Sequence, residues 1–87
     1  MGRMRRLRRS GATAWGTVTS MQLNNHVEVN NQSPWRVTAT WQDSWGTERT
    51  STGEKLTPEV GVGGQVLVRY DPQKPEINFV DLDARNN

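Results

Sequence analysis

The stretch from Trp35 to Gln42 (WRVTATWQ) alternates between two kinds of side chain for eight residues. The first set is Trp35, Val37, Ala39 and Trp41; the intervening positions carry arginine, threonine and glutamine. Successive side chains of a β-strand point to opposite faces, so this period of two predicts a strand with one buried face. We therefore expect both tryptophans of this strand to lie in the core.

Further strands are indicated by short runs rich in Val, Thr and aromatic residues, separated by Asn-, Gly- and Pro-containing turns. These runs are Thr13–Gln22, His26–Asn30, Thr47–Thr52, Gln65–Tyr70 and Ile77–Leu82. No segment favours a helix. Five or six short strands at regular spacing predict an all-β fold, a small antiparallel barrel or roll.

The alternation also predicts which side chains point inward. We expect Val27, Val29, Val66, Val68 and Tyr70 to face the core, and Leu56, Val60 and Val62 to tuck beneath the loop that they belong to. In the first strand two faces compete: one carries Ala14, Gly16 and Val18, the other Trp15, Thr17, Thr19 and Met21. The sequence does not decide which of these two faces points inward. Gly16 would permit a bulge or the close approach of a neighbouring strand. The run Thr47–Thr52 is polar on both faces, which predicts a strand that lies at an edge or only half covers the core.

Charge divides the 87 residues unequally. Five arginines fall within the first nine residues: Arg3, Arg5, Arg6, Arg8 and Arg9. The rest of the chain carries six basic and nine acidic side chains, a net charge of about −3. We expect a flexible basic tail over residues 1–10, a single β domain over 11–83 and a frayed terminus over 84–87.

The tail has three interpretations. Its arginines could contact anionic lipid headgroups, neutralise nucleic-acid phosphates, or form a solvated terminus with no dedicated partner. Trp45 lies in a predicted hairpin turn, where a large ring has little core to reach. It could enter a membrane interface, stack on a base or sugar, or fold back over the sheet.

Nothing in the sequence predicts a catalytic, cofactor or metal site. The chain has no cysteine, which removes thiol chemistry and favours a reducing compartment. Its single histidine, His26, has no neighbouring ligands, and Asp71, Asp81 and Asp83 fit solvating carboxylates better than a cation site. Serine and threonine are common, but no base is placed to activate one. We therefore expect no enzyme activity.

Three stretches resemble a bacterial family of small β domains of unknown function. Gly11–Val18 is similar to the family's A-x-G-T-V strand, and Val29–Val37 to its V-N-G-x-x-P-x-x-V hairpin, with Asn31 in place of the glycine. The third, Val66–Pro75, is similar to its closing pattern G-x-x-V-x-V-x-Y-D-P-x-x-P.

Members of that family are usually tethered to a membrane by helices, and the present sequence has no apolar run long enough for one. We expect either a soluble relative or a piece of a longer protein whose arginines flank a membrane helix. The resemblance implies no site residues. It favours a cytoplasmic accessory or protein-interaction domain at the inner face of a bacterial membrane. The alternative is a small nucleic-acid-binding barrel.

Overall fold

The computed structural model describes residues 11–26 and 31–83, and this part of the chain is all-β, as predicted. Five antiparallel strands form one sheet rolled into a nearly closed barrel, without a helix in the described residues. The strands are β1 (Ala12–Leu23), β2 (Trp35–Gln42), β3 (Glu48–Lys55), β4 (Gln65–Tyr70) and β5 (Asn78–Asp81). The predicted tail 1–10, most of the predicted strand His26–Asn30 including Val27 and Val29, and the terminus 84–87 lie outside the described residues.

The long strand β1 organises the barrel by changing partners along its length. The order in the sheet is β3-β2-β1-β4-β5. The first half of β1, Ala12 to Thr17, pairs with β4, whereas Thr17 to Leu23 pairs with β2. Gly16 lies where these two pairings meet: a Cβ atom there would be 3.1 Å from both the Thr40 carbonyl oxygen and a Val68 methyl group. The close strand approach expected at Gly16 is thus confirmed.

The inward face of β1 is settled by a register irregularity. Gly16 and Val18 are buried, whereas Trp15 is 53% exposed. The pairing with β2 shifts between Val18 and Ser20, and beyond this bulge Met21 packs against the core. An extra residue reverses the parity of the strand. Both predicted faces are therefore inward, each over a different part of β1.

The core confirms most of the predicted alternation in β2 and β4. It consists of Val18, Val37, Ala39, Trp41, Val66, Val68, Tyr70 and Val80. The rings of Trp41 and Tyr70 lie with their centroids 4.6 Å apart. Trp35 differs from the prediction: it is half-buried and outside this cluster. It is the first residue of β2, opposite Leu23 and Lys55 at one end of the barrel, where Leu23 is itself 47% exposed.

The polar strand β3 is the edge strand that the sequence predicted, but β5 packs against it. The Ser51 hydroxyl accepts a hydrogen bond from the Trp41 indole at 2.6 Å and donates one to Asn78 of β5. A Cβ atom at Gly53 would lie 2.5 Å from the Val80 carbonyl oxygen. Small residues on β3 thus allow β5 to close the barrel.

Two turns carry a distinctive backbone. Asn31 has a φ of 64°, in the left-handed region that favours glycine, at the position where the resembled hairpin has a glycine. In the loop between β3 and β4, Val60 packs against the core, but Val62 is 68% exposed. The expectation that Val62 tucks beneath the loop was wrong, because the turn at residues 61–64 carries it outward.

Candidate interaction surfaces

Two segments distant in sequence meet at the end of the barrel where β1 begins. Ala12, the first residue of β1, pairs with Tyr70, the last residue of β4. The Tyr70 hydroxyl is 2.7 Å from the Ser44 hydroxyl, in the turn between β2 and β3. We call this end, which contains the start of β1, the 43–46 turn and the 71–77 turn, the Tyr70 end.

The 43–46 turn is held by the Asp43 carboxylate, which is almost fully buried. One carboxylate oxygen accepts hydrogen bonds from the amides of Trp45 (2.8 Å) and Thr47 (3.0 Å). The other accepts a charge-assisted bond from Arg49 Nε at 2.6 Å. Gly46 completes the turn at a φ of 79° and donates its amide to the Asp43 carbonyl. Local chemistry thus fixes the backbone on both sides of Trp45.

The same contacts shift the ionisation of Asp43. The hydrogen bond from Arg49 lowers the pKa of this carboxyl below its ordinary value of 3.8. Burial acts in the opposite direction, and the Thr47 and Trp45 amides lower the pKa further. The side chain is therefore ionised at neutral pH, as its ion pair with Arg49 requires.

Trp45 itself points away from the barrel. Its side chain is 79% exposed, so the interpretation in which it folds back over the sheet is wrong. Nearby, Trp41 and Tyr70 already fill the core at this end. The turn therefore presents a large amphipathic ring to the surroundings on a backbone held by four hydrogen bonds.

The five tail arginines, Arg3, Arg5, Arg6, Arg8 and Arg9, lie outside the described residues. Their connection to the barrel is nevertheless given, because they precede Gly11 and the chain enters β1 at Ala12. The basic segment is thus joined covalently to the Tyr70 end, which also carries Trp45.

The barrel itself shows no basic face over residues 11–26 and 31–83. This part contains five basic and eight acidic side chains. Four of the five basic groups are in ion pairs: Arg36 with Glu54, Arg49 with Asp43, Lys55 with Asp83 and Arg69 with Asp81. Cations already held by carboxylates are poorly available to phosphates.

A second surface, which the sequence did not predict, is a cleft of about 750 Å³ on the outside of the barrel. Trp15 and Leu67 are paired on neighbouring strands and form part of its wall. Lys55, Glu59 and Asp83 contribute charged groups. The sequence did not predict this cleft because it left the inward face of β1 undecided. One signal was present: where strands approach closely at a glycine, there is little room for a neighbouring tryptophan to point inward.

The histidine and the carboxylates that could take part in catalysis or metal binding lie at the surface or in ion pairs. His26 is exposed, and Asp81 is paired with Arg69 at 2.6 Å. Within the described ranges, no three His, Asp or Glu side chains are grouped to hold a metal ion. Nor does this part of the chain contain a helix long and apolar enough to cross a membrane.

Comparison with protein-family models gave no match, and comparisons with curated proteins and with solved structures gave none either. The resemblance to the family of small bacterial β domains therefore stays a prediction.

Proposed function

We propose that this protein is a non-enzymatic accessory domain that works at the cytoplasmic face of a bacterial membrane. The observation that carries the proposal is that the arginine-rich segment enters the barrel at the end that presents Trp45. A flat anionic surface can contact both features at once. The remaining barrel surface then faces away from the lipid and is available to a partner protein.

The arginines and Trp45 would contribute different kinds of attraction to a lipid surface. Each arginine near an anionic lipid surface contributes about 1 kcal/mol, an attraction that salt screens. An exposed indole prefers the headgroup region, where its apolar ring and its N–H are both accommodated. Five arginines supply long-range attraction, and Trp45 supplies a short-range anchor on an ordered turn.

A nucleic-acid-binding barrel is the competing interpretation, since arginines and an exposed tryptophan also suit phosphates and bases. Such a barrel normally carries basic residues across its sheet. Here Arg36, Arg49 and Arg69 are each bound to a carboxylate. These pairings favour the membrane surface over nucleic acid.

Vesicle flotation tests the proposal. We expect the protein to float with vesicles containing phosphatidylglycerol, and much less with pure phosphatidylcholine or at high salt. Replacing all five tail arginines with glutamine is expected to abolish flotation, and Trp45→Ala to weaken it severalfold. Trp15→Ala is the matched control, because Trp15 is also exposed but lies on the outer wall of the barrel.

A parallel salt titration with single-stranded oligonucleotides covers the competing interpretation. Flotation that survives replacement of the arginines contradicts the proposal. Oligonucleotide binding without any flotation on anionic vesicles favours the nucleic-acid interpretation instead.

A further inference from the structure

We propose that the Trp15 cleft binds an arginine or lysine side chain from an extended segment of a partner protein. The cleft is defined by Trp15, Leu67, Val60, Lys55, Glu59 and Asp83. This inference rests on the accessory role proposed above, because it names the partner's chemistry. It does not depend on attachment to lipid.

The cleft has an apolar wall that no described segment covers. Trp15 is 53% exposed although it lies within a paired strand and opposite Leu67. The partly buried Val60 adds apolar surface beside them. An indole on a strand whose backbone is paired with β4 is an ordered surface for an alkyl chain or a guanidinium plane.

The charges of the cleft favour a cation. Lys55 is the one basic group among its lining residues, and it already contacts the Leu82 carbonyl and the Asp83 carboxylate, at 3.4 and 3.3 Å. Asp81 is neutralised by Arg69. Glu59 is exposed and makes no hydrogen bond or ion pair with any other part of the described chain. A cationic side chain can therefore lie along the indole and reach an uncompensated carboxylate.

The position of the cleft suits a partner at a membrane. Lys55, at its rim, pairs with Trp35, which pairs in turn with Leu23, so the cleft extends towards the end of the barrel opposite Tyr70. A domain attached to lipid through its Tyr70 end would leave this cleft accessible. The negative balance of the barrel attracts a basic segment and repels an acidic one.

The test is an NMR titration of the full chain in solution without lipid. The probe is a capped alanine pentapeptide with a central arginine, compared with the same peptide carrying a central glutamate. We expect the arginine peptide to shift the indole N–H resonance of Trp15, assigned with Trp15→Phe, and the glutamate peptide to leave it unchanged. Loss of the indole in Trp15→Ala is expected to weaken binding about two- to fivefold, as measured from backbone amide shifts.

Glu59→Gln supplies the charge test, with Glu48→Gln as the matched control on an exposed position of β3. Only Glu59→Gln is expected to weaken the arginine peptide, and flotation of both variants on vesicles should equal that of the unmodified chain. Equal effects of the two substitutions, or no shift at Trp15, overturn the proposal. Binding seen only after the tail arginines are replaced by glutamine also overturns it, because the chain's own tail is then the occupant.

Discussion

Asp43 shows how one buried carboxylate determines the geometry of the turn that presents Trp45. It accepts hydrogen bonds from the amides of Trp45 and Thr47 and forms an ion pair with Arg49, and the ion pair requires the ionised form. A neutral asparagine at this position can still accept the two amide hydrogen bonds through its side-chain oxygen, but it leaves Arg49 without its carboxylate. The side chain of Asp43 therefore holds the backbone around Trp45, and its charge holds Arg49.

The ionisation of Asp43 predicts a pH dependence of stability. Because its pKa is lowered in the folded protein, the unfolded chain binds the proton first. The stabilisation is fully present above the ordinary pKa of 3.8 and is lost as the pH falls through the lower folded value. We expect Asp43→Asn to lower the urea midpoint at pH 7 and to flatten its fall as the pH drops below the ordinary pKa of 3.8.

Circular dichroism during urea titration measures both effects. Glu48→Gln is the control, because this exposed carboxylate lies on the same hairpin. If the unmodified chain and Asp43→Asn lose stability in parallel as the pH falls, Asp43 does not carry this dependence.

At the scale of elements, the contact between β3 and β5 decides whether the sheet stays open or becomes a barrel. The two strands are joined through the Ser51 side chain, which bonds to Asn78, and their contact is not part of the sheet ladder. Just beyond β5, Lys55 pairs with Asp83. The absence of a side chain at Gly53 brings the Val80 carbonyl against β3. The polar side chains and the glycine of β3 thus suit it to the contact with β5 that closes the barrel, which we call the β3–β5 seam.

From the close contact at the β3–β5 seam we expect different effects of two glycine substitutions on the free energy of unfolding. Gly53→Ala places a methyl group within 2.5 Å of the Val80 carbonyl oxygen, so we expect a loss of about 1–3 kcal/mol in the free energy of unfolding. Gly61→Ala is the matched control, because a Cβ atom there meets nothing within 4 Å and its φ lies outside the left-handed region. We expect that substitution to be neutral or slightly stabilising.

Chemical denaturation of both variants tests the expectation. Equal stabilities of the two variants would show that β5 moves away from Gly53 without cost, and the barrel would then be held by the remaining strands alone.

At the scale of the molecule, the barrel has two different ends and one distinctive side. The Tyr70 end joins the basic segment and presents Trp45, whereas the Trp15 cleft extends towards the opposite end. Under the proposed function, the Tyr70 end faces lipid while the Trp15 cleft stays accessible to a partner. The proposed function therefore predicts a fixed orientation on lipid.

Orientation can be measured with single cysteines, because the natural sequence contains none. Gln73→Cys places a label in the exposed turn at the Tyr70 end, and Thr57→Cys places one just after β3 at the opposite end. With an environment-sensitive fluorophore, we expect a blue shift on anionic vesicles for the label at position 73 and little change at position 57. Equal shifts at both positions would contradict an oriented attachment.

By itself, the sequence determined the all-β class, the buried faces of β2 and β4 and the edge position of β3, because alternation is a local property of an extended chain. It also singled out Trp45 as a large ring with little core to reach. Only the tertiary structure decided which face of β1 is inward, since a bulge set by pairing with β2 reverses that strand's parity. It alone left Trp35 half-buried at a barrel end and created the Trp15 cleft. It also placed the 43–46 turn beside the start of β1, because such juxtapositions depend on which strands pair and where the sheet closes.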